Sequence, residues 1–447
     1  METITTEKNT YKLVCGMEIH AELKTNSKMF CGCKNDPFGA KQPNIYTCPV
    51  CLGMPGGLPV ANKTAIEWTI KVGLALGCKI NLFSKFDRKN YFYPDLAKAY
   101  QISQYDLPFC YDGVVETSYG PVRITRIHLE EDTGKLQHTT INGKKVSLID
   151  YNRSSVPLME IVSEPDIHSP EQAKEYAKKI RDLLRYLEVA DCDMDQGGMR
   201  LEANISLAEK SAQKLPNYKV EVKNINSFRF AEQAITYEMD RQAKILDDGK
   251  TPVQETRGFD SVKISTFSQR TKEDAEDYRY FPDPDLPPIT FTQKQIDAMR
   301  NELPELIIEK ISRWEKEFAV EPRYSNLLID STQTAQLLEE AFTTLQKNNQ
   351  EPNKLANVLA NKKLAFEKTV EKLVQKFSEL FATDTVPESE ILSVINSIME
   401  ANPDAVAKYK AGQKQVVGFF MGQTLRAIGK KIDTKELTKL LQQELEK

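Results

Sequence analysis

The sequence predicts an α+β protein, in which a strand-rich N-terminal part is followed by a helical C-terminal part. Between residues 11 and about 290, several segments alternate apolar and polar residues, which is typical of strands with one buried face. Beyond about residue 295, proline and glycine become rarer and apolar residues recur at helical spacing. The proline-dense stretch 280–288 cannot form regular structure, and we interpret it as the end of the first domain or a wall of its cleft.

The individual elements follow from local patterns. Strands are predicted at residues 11–23, 121–130, 199–207 and 218–223. A hairpin is predicted over 138–150, with its turn at Asn142-Gly143, because this dipeptide tolerates the left-handed backbone of a tight turn. Ser169 and Gln172 form a capping-box pattern before an apolar helical stripe, and a second helix is predicted from about Ser227 to Gly249.

The C-terminal part contains two well-defined helical patterns. Apolar residues between 391 and 399 share one helical face, and those between 437 and 445 share another. Asp433 is placed to cap the last helix, with Glu436 in its first turn. No internal repeat or low-complexity tract interrupts these patterns.

Length and composition restrict the class of protein. The chain has 447 residues, which predicts two or three domains, and its hydrophobic content of 40% supports a substantial core. No stretch approaches the length of a membrane-spanning helix, and the polar N-terminus resembles neither a secretory signal nor a transit peptide. We therefore expect a cytoplasmic protein without a membrane partner. The net charge of −4 argues against a protein that wraps nucleic acid over its whole surface.

Four of the eight cysteines form two close pairs near the N-terminus, Cys31 with Cys33 and Cys48 with Cys51. Two such pairs separated by a short loop are typical of a tetrahedral zinc site. Two disulfides, or four unrelated buried thiols, are the alternative. A site with four sulfur ligands has no open coordination position, so this pattern predicts a bound ion but no reaction.

Acidic side chains recur at alternate positions in the predicted strands. Glu18, His20 and Glu22 share one face of the first strand. Glu202 and Glu221 occupy similar positions in two later strands. Two further acidic runs lie at residues 128–132 and 159–166.

Two interpretations of these acids remain open. One is the solvated face of an antiparallel sheet. The other is a cation site, because clustered carboxylates repel one another unless a cation lies among them, and oxygen ligands with an imidazole suit Mg²⁺. The repetition of acids with histidine and asparagine, rather than lysine and threonine, favours magnesium. A magnesium site would point to phosphate chemistry.

A basic and aromatic run lies at residues 84–95 and includes Lys85, Arg88 and Lys89. Cations beside aromatic rings can hold phosphates and stack a nucleobase, although a solvated basic edge strand would show the same pattern. The sequence contains neither a P-loop motif nor a dinucleotide-binding glycine motif. A nucleotide site in this protein would therefore be of another type.

In the acidic strands and in the basic and aromatic run, the chain resembles the B subunits of aspartyl/glutamyl-tRNA(Asn/Gln) amidotransferases. The resemblance covers residues 11 to about 290 almost continuously, and the C-terminal third resembles the helical and tail domains of the family, with a shorter segment than usual between about 340 and 385. The motifs that carry it are Gly16–Thr25, Lys85–Asp95, His128–Asp132, Met159–Asp166 and Lys223–Phe228.

The resemblance implies a domain organisation and a reaction. It implies an antiparallel-sheet cradle (kinase) domain over 1–293 with a zinc knuckle at 31–51, a helical domain over 294–385, and a helical tail over 386–447 that binds tRNA. It also implies an ATP-dependent carbon–nitrogen ligase that takes its amide nitrogen from glutamine. The B subunit would phosphorylate the side chain of misacylated Glu-tRNA(Gln) or Asp-tRNA(Asn). Ammonia from the glutaminase (A) subunit would then displace phosphate, and a small C subunit would complete the complex.

The family pattern also implies roles for individual residues. The expected ligands of a central Mg²⁺ are His20, Glu131 and Glu160. The expected second acidic group, near the mouth of the ammonia channel, comprises Glu18, Glu202 and Glu221; position 202 is aspartate in some relatives. The expected phosphate contacts of ATP are Lys85, Arg88 and Lys89. Zinc occurs in some members of the family, so a structural role is implied for it.

Two other functions compete with this one. A zinc-containing, non-catalytic tRNA-binding protein is the main alternative, but such a protein has no reason to gather carboxylates where phosphates must bind. The archaeal paralogue that acts only on Glu-tRNA carries a large insertion before its tail, and no insertion of that size fits here. The sequence leaves open which misacylated tRNA is the substrate.

The tail has a charge balance opposite to that of the whole chain. Residues 401–447 contain nine Lys/Arg and five Asp/Glu, a net charge of +4. Solvated helices often carry lysines, whereas the resemblance favours a surface that grips the body of the tRNA. The nine cations are Lys408, Lys410, Lys414, Arg426, Lys430, Lys431, Lys435, Lys439 and Lys447.

Overall fold

The computed structural model describes residues 3–271, 278–382, 384, 386–430 and 432–447. They form two compact units. The first unit comprises Met1–Arg313 and Ile329–Ala335, and the second comprises Trp314–Leu328 and Gln336–Lys447. A large sheet and many helices confirm the α+β class. The three-domain division with boundaries at 293 and 385 stays a prediction, and residue 385 and Lys431 lie outside the described residues.

All the described strands belong to the first unit. They are β1 (Thr3–Thr5), β2 (Thr10–Glu22), β3 (Lys79–Ile80), β4 (Phe83–Ser84), β5 (Asp87–Asn90), β6 (Tyr100–Ser103), β7 (Cys110–Thr117), β8 (Gly120–Glu131), β9 (Lys135–Ile141), β10 (Lys144–Asp150), β11 (Pro157–Ser163), β12 (Met199–Glu209), β13 (Val220–Ile225), β14 (Glu255–Asp260), β15 (Ser265–Thr271), β16 (Phe281–Pro282) and β17 (Ile289–Thr290).

A ten-stranded sheet forms the core of the first unit. Its order is β15-β14-β13-β12-β2-β11-β8-β7-β3, with β1 paired to β2. All neighbours are antiparallel except β13 and β14, which run parallel. The long strand β2 lies in the middle of the sheet, between β11 and β12. Its side chains point alternately to the two faces of the sheet. Met17, Ile19 and Ala21 are fully buried on one face, and the alternate residues of β2 form part of the cleft described below.

The predicted strands at 11–23, 121–130, 199–207 and 218–223 are confirmed as β2, β8, β12 and β13, with ends shifted by up to two residues. The hairpin is also confirmed, since β9 and β10 pair around Asn142 and Gly143, whose φ angles are 50° and 75°.

One prediction about regular structure is wrong. In the proline-dense stretch 280–288, Phe281–Pro282 forms a short strand that pairs with Arg88 and Asp87 of β5. Proline is compatible with this position because β16 is an edge strand of a three-stranded sheet with β5 and β6. Through this pairing, the proline-dense stretch is hydrogen-bonded to the basic and aromatic segment 84–95.

Three helices pack against the large sheet: α1 (Lys63–Ala75), α2 (Pro170–Tyr186) and α3 (Phe228–Asp247). The helices predicted at Ser169 and Ser227 are confirmed, and both serines cap the first turn through their side chains. The capping box at Ser169 is only half formed, because the Gln172 side chain accepts a hydrogen bond from the backbone of His168 instead of returning to Ser169. Helix α4 (Gln293–Asn301) follows β17.

Helices make up most of the described part of the second unit. Helix α5 (Ile307–Phe318) enters it, and Trp314 packs edge-on against Phe342 with ring centroids 5.2 Å apart. The remaining helices are α6 (Pro322–Leu328), α7 (Thr332–Lys347), α8 (Pro352–Ala360), α9 (Val370–Phe381), α10 (Glu388–Ala401), α11 (Pro403–Lys410), α12 (Val417–Ile428) and α13 (Thr434–Glu446).

Helices α10 to α13 share a hydrophobic core of their own. Ile391 and Ile395 of α10 meet Phe420 of α12 and Leu441 of α13, all almost fully buried. The predicted helices at 391–399 and 433–445 are confirmed, and Asp433 caps α13 as expected. Within the described parts of both units, every helix is too short or too polar to cross a membrane.

Candidate active site

A cavity of about 750 Å³ lies on the polar side of the large sheet, within the first unit. Strands β2, β8, β11, β12 and β13 supply most of its charged lining, because alternate side chains of each strand point to the same face. Aromatic residues from the segments around 91–105 and 278–280 complete the wall. The charged lining residues are Glu18, His20, Lys89, Arg126, His128, Glu160, Glu202, Lys219, Glu221, Lys223 and Glu255.

Four side chains form a row across four neighbouring strands. Arg200 of β12 lies opposite His20 of β2, His20 lies opposite Glu160 of β11, and Glu160 lies opposite His128 of β8. Opposed residues of an antiparallel pair have their Cβ atoms about 5 Å apart, so their side chains meet. The strand register therefore assembles the row.

His20 and Glu160, at the centre of the row, meet a third side chain, Glu130 of β8. Together these three side chains offer the donor atoms of a cation site. Nε2 of His20 lies 3.5 Å from Oε2 of Glu160 and 4.0 Å from Oε1 of Glu130. The three donor atoms lie within 4.8 Å of one another. Burial opposes the charged form of the imidazole, but the charge of Glu160 is the main cause that raises the pKa of His20 to about 9. The two buried carboxylates thus favour a positive charge at this position, either a proton on the imidazole or a metal ion in its place.

His128 supports the same acids from the other side. Its Nε2 lies 3.0 Å from Oε2 of Glu160 and 3.8 Å from Oε2 of Glu130. Glu130 also accepts a hydrogen bond from the hydroxyl of Ser103 at 3.0 Å. Burial disfavours ionisation of Glu160, yet the charges of His128 and His20 hold the pKa of this carboxyl well below its ordinary value.

The structure does not bring Glu131 to His20 and Glu160, so the expected ligand set requires a correction. Glu131 is next to Glu130 in β8, and neighbouring side chains of a strand point to opposite faces. Its carboxylate instead lies 2.5 Å from Nζ of Lys98 and accepts the backbone N–H of Ile102 at 3.0 Å. The acid that meets His20 and Glu160 is Glu130.

The second expected acidic group does come together. Glu18, Glu202 and Glu221 offer carboxylate oxygens within 4.8 Å of one another, and Glu18 lies directly opposite Glu202. Nζ of Lys223 is 2.8 Å from Glu202 and 3.4 Å from Glu221, so this group already contains one cation. Glu18 accepts from Asn204 at 2.8 Å, and burial, with the charge of Glu160, raises the pKa of its carboxyl.

Only one of the three expected phosphate contacts lines the cavity. Lys85 forms ion pairs with Asp87 and with Asp106, the latter at 2.6 Å. Arg88 pairs with Asp283 at 2.8 Å and Asp285 at 2.9 Å. These two cations fasten the basic segment to its neighbours, because their charges are already matched by carboxylates.

Lys89 does line the cavity. Its Nζ lies 4.9 Å from the ring centroid of Tyr278, a cation–π distance. Burial opposes its charge, but Glu130 and Glu160 raise the pKa of the ammonium above its ordinary value. A partly buried cation beside the acids is therefore available to an anionic ligand.

Aromatic side chains form one wall of the cavity. The rings of Tyr105 and Tyr280 are stacked, with centroids 4.3 Å apart and planes 10° apart. Tyr278 packs edge-on against both Tyr91 and Tyr280. Tyr93 is 59% exposed beside them. Flat rings of this kind can receive a nucleobase.

A pair of buried carboxyl groups lies at the other end of β2. Glu22 packs against Asp132, which accepts a hydrogen bond from Arg200 at 2.6 Å and lies 3.7 Å from Arg153. Oε1 of Glu22 has no hydrogen-bond donor among the described residues. Burial and the charge of Asp132 raise the pKa of Glu22 to about 9. One proton is therefore shared within the pair at neutral pH.

The four expected zinc ligands also meet. The sulfur atoms of Cys31, Cys33, Cys48 and Cys51 lie within 4.8 Å of one another, and those of Cys48 and Cys51 are 3.8 Å apart. A tetrahedral ion with zinc–sulfur bonds of about 2.3 Å places its sulfurs roughly 3.8 Å apart. The donor set and spacing fit a zinc ion, and all four cysteines are free thiols rather than disulfides.

Sequence reasoning noted the acidic run 128–132 but assigned neither His128 nor Glu130 to the site, and it missed Arg126. Arg126, His128 and Glu130 alternate along β8 as Glu18 and His20 do along β2, so the period of two could have identified them. Arg126 is notable because its buried Nε has no acceptor among the described residues. Lys219 could have been identified in the same way, because it shares the period of two with Glu221 and Lys223 in the strand predicted over 218–223, although β13 itself begins at Val220.

Comparison with known families gives a consistent result over both units. Residues 13–297 match the model of the GatB/GatE catalytic domain, and residues 311–445 match that of the GatB domain. The chain is 41% identical to the B subunit of the aspartyl/glutamyl-tRNA(Asn/Gln) amidotransferase of Thermodesulfovibrio yellowstonii, over 96% of this chain and 98% of the relative. It is 42% identical to the corresponding protein of Persephonella marina, over 97% and 99% respectively.

These matches span the acidic cavity, the four cysteines and the helical C-terminal unit together. A similar identity, 42%, links the chain to the corresponding relative from Ruminiclostridium cellulolyticum over 97% of each protein. The chain therefore belongs to the family of aspartyl/glutamyl-tRNA(Asn/Gln) amidotransferase B subunits.

Proposed function

We propose that the cavity of the first unit is the kinase site of a tRNA-dependent amidotransferase. The B subunits of this family are part of an ATP-using, glutamine-dependent ligase that converts misacylated Glu-tRNA(Gln) or Asp-tRNA(Asn) into Gln-tRNA(Gln) or Asn-tRNA(Asn). The observation that carries the proposal is the buried cluster of His20, Glu130 and Glu160 beside Lys89 and Arg126. Acids and cations in one cavity suit a metal–nucleotide complex better than a bare tRNA surface.

The donor set fits magnesium. An octahedral Mg²⁺ with bonds of about 2.1 Å separates its ligands by roughly 3 Å or 4 Å. The distances of 3.5 Å and 4.0 Å from His20 to Glu160 and Glu130 lie in this range. We assign these three side chains as the ligands, and bound magnesium would neutralise phosphate charge. His128 orients Glu160 from behind.

The reaction requires activation of a carboxylate, because ammonia cannot displace oxide from it at neutral pH. The substrate's side-chain oxygen attacks the γ-phosphorus of ATP, and ADP leaves. Ammonia then attacks the carbonyl carbon of the acyl phosphate, and phosphate leaves. Positioning and charge neutralisation dominate catalysis of phosphoryl transfer. In the described lining of this cavity, Lys89 and Arg126 are placed to donate to the phosphate oxygens.

Glu18 is placed to handle ammonia. A second cavity of about 280 Å³ shares two lining residues, Glu18 and Lys219, with the first cavity. Ammonium must lose a proton before it can attack a carbonyl, and burial, which raises the pKa of the Glu18 carboxyl, makes this carboxylate a better proton acceptor. We propose that Glu18, with Glu202 and Glu221, receives ammonia from the glutaminase (A) subunit at this point.

The remaining parts of the proposal concern structure and partners. The cysteine cluster would hold a structural zinc ion, since four thiolates leave no open position. The chain would act in the cytoplasm with the A subunit and the small C subunit. Its tail, 386–447, would bind tRNA, because all eight tail cations that the structure describes are exposed.

The proposal is tested with the assembled complex. His20→Ala and Glu160→Gln should abolish tRNA-dependent ATP hydrolysis and amide formation, while the glutaminase activity of the partner persists at least in part. The non-catalytic tRNA-binding alternative predicts that neither variant changes ATP hydrolysis. Acyl phosphate formation at a near wild-type rate in either variant would contradict the kinase assignment.

A further inference from the structure

Lys28, three residues before Cys31, is a completely buried lysine whose side chain reaches into the cysteine knuckle. Its side chain is 0% exposed and is among the largest fully buried side chains of the described residues. Its ammonium donates to the backbone carbonyl of Tyr46 at 2.6 Å and to that of Tyr151 at 3.2 Å. Its third neighbour is Sγ of Cys51, at 3.9 Å.

These contacts satisfy the hydrogen bonds of the ammonium but not its charge. Carbonyl groups carry no net charge, and in the described part of the chain no carboxylate oxygen lies within 4.0 Å of Nζ of Lys28. A buried charge without a counter-charge strongly destabilises the folded state. The position therefore requires a negative charge from another source.

The cysteine cluster supplies that charge when it is loaded with metal. Four thiolates around one divalent ion carry a net charge of about −2, whereas four neutral thiols carry none. Two disulfides, the alternative for these cysteines, would also be neutral. Cys51, the neighbour of Lys28, is fully buried and also accepts the backbone N–H of Cys48 at 3.2 Å.

On the basis of the zinc site proposed above, we propose that Lys28 is the buried cation that balances the metal–tetrathiolate cluster and holds Cys51 in its ligating position. Its two carbonyl contacts join the knuckle to the end of β10, since Tyr46 belongs to the knuckle loop and Tyr151 follows β10. Zinc retention should thus depend on the charge of one lysine that is not a ligand.

The experiment compares three variants of the full-length chain. Lys28→Met removes the charge and keeps the length, and Lys28→Arg keeps the charge. Lys34→Met is the matched control, because Lys34 is also in the knuckle but is exposed and pairs with Asp36. Zinc per chain is measured by metal analysis, and zinc affinity is measured by competition with a chromogenic chelator. Partners next to metal ligands typically change metal affinity by 10- to 100-fold.

We expect Lys28→Met to weaken zinc binding by 10- to 100-fold and Lys34→Met to change it by less than about twofold. Lys28→Arg should retain zinc better than Lys28→Met, and if Lys28→Met fails to fold, the zinc affinity of Lys28→Arg alone decides the case. Equal losses in both Lys28 variants, or an unchanged affinity in Lys28→Met, would overturn the role of the charge. Absence of zinc from the wild-type chain would instead refute the zinc site itself.

Discussion

Nε2 of His128 lies 3.0 Å from Oε2 of Glu160, and this contact gives the acidic cluster a second imidazole. The register of β8 against β11 places the two residues directly opposite each other. Glu160 is thereby held by two histidines, one from each neighbouring strand. Its orientation toward a cation depends on both.

Replacement of His128 by glutamine should weaken the apparent affinity for Mg²⁺ by about 10- to 100-fold, because partners that orient a ligand typically contribute this much. The measurement is the Mg²⁺ dependence of tRNA-dependent ATP hydrolysis by the complex. His138→Gln is the control, since His138 is exposed in the β9–β10 hairpin. A wild-type Mg²⁺ dependence in His128→Gln would refute the orienting role.

The two adjacent glutamates of β8 should behave differently. Glu130→Gln should abolish tRNA-dependent ATP hydrolysis with a smaller loss of stability, because the carboxylate of Glu160 still faces His20 and His128. Glu131→Gln should lower the free energy of unfolding by about 3 kcal/mol, because it leaves the ammonium of Lys98, which is 9% exposed, without its counter-charge. Kinetic assays and urea unfolding of both variants separate these effects, and a reversed assignment of the two phenotypes would contradict the geometry.

The shared proton of Glu22 and Asp132 predicts a pH-dependent stability. The pKa of Glu22 is raised from 4.5 to about 9 on folding, so the unfolded chain releases this proton first. Wild-type stability should therefore fall, relative to Glu22→Gln, as the pH rises from about 4.5 to 9. The slope is at most about 1.4 kcal/mol per pH unit. Unfolding at pH 5, 7 and 8.5 measures it, and parallel profiles would show that Glu22 is ionised in the folded protein.

Cys48→Ser should lose its zinc and lower the melting temperature, since a structural metal site contributes directly to folding. The folded fraction should keep the wild-type kcat for ATP hydrolysis, because the ion has no open coordination position. Cys192→Ser is the control, as Cys192 lies outside the cluster. Full zinc content and unchanged stability in Cys48→Ser would refute the assignment.

Neutralisation of the tail should weaken tRNA binding. Replacement of Lys408, Lys410 and Arg426 by glutamine should raise the KM for aminoacyl-tRNA. The slope of log KM against log salt concentration should also decrease, because up to about three fewer counterions are released on binding. All three side chains are exposed. Exchanging lysine and arginine at the same positions keeps the charge and should have little effect. If the salt slope of the glutamine variant equals that of the wild type, the tail does not contact phosphates.

The strands that carry the cavity were predictable because one face of each is buried. Alternation in β2 and β12 identified Glu18, His20 and Glu202 as residues of one face. Local patterns could not determine which strands are neighbours, since pairing depends on long-range contacts. For this reason the partnership of His20 with His128 and Glu130 emerged only from the sheet order.

The basic segment shows a second reason why local patterns do not identify the residues of a cavity. Lys85, Arg88 and Lys89 are equivalent as sequence signals, but only Lys89 lines the cavity. The acids that neutralise Arg88 lie almost two hundred residues further on, in the proline-dense stretch. Because no local pattern reveals such distant partners, a cation that fastens two segments resembles one that binds phosphate.

The position of β2 in the sheet has a consequence for variation in this protein. Each functional side chain of β2 alternates with an apolar one, so insertion or deletion of a single residue would exchange the two sets. Met17 and Ile19 would then face the cavity, and Glu18 and His20 would enter the hydrophobic core. A substitution in β2 can reduce stability or activity by a small amount, whereas a change in the length of β2 would abolish both folding and activity.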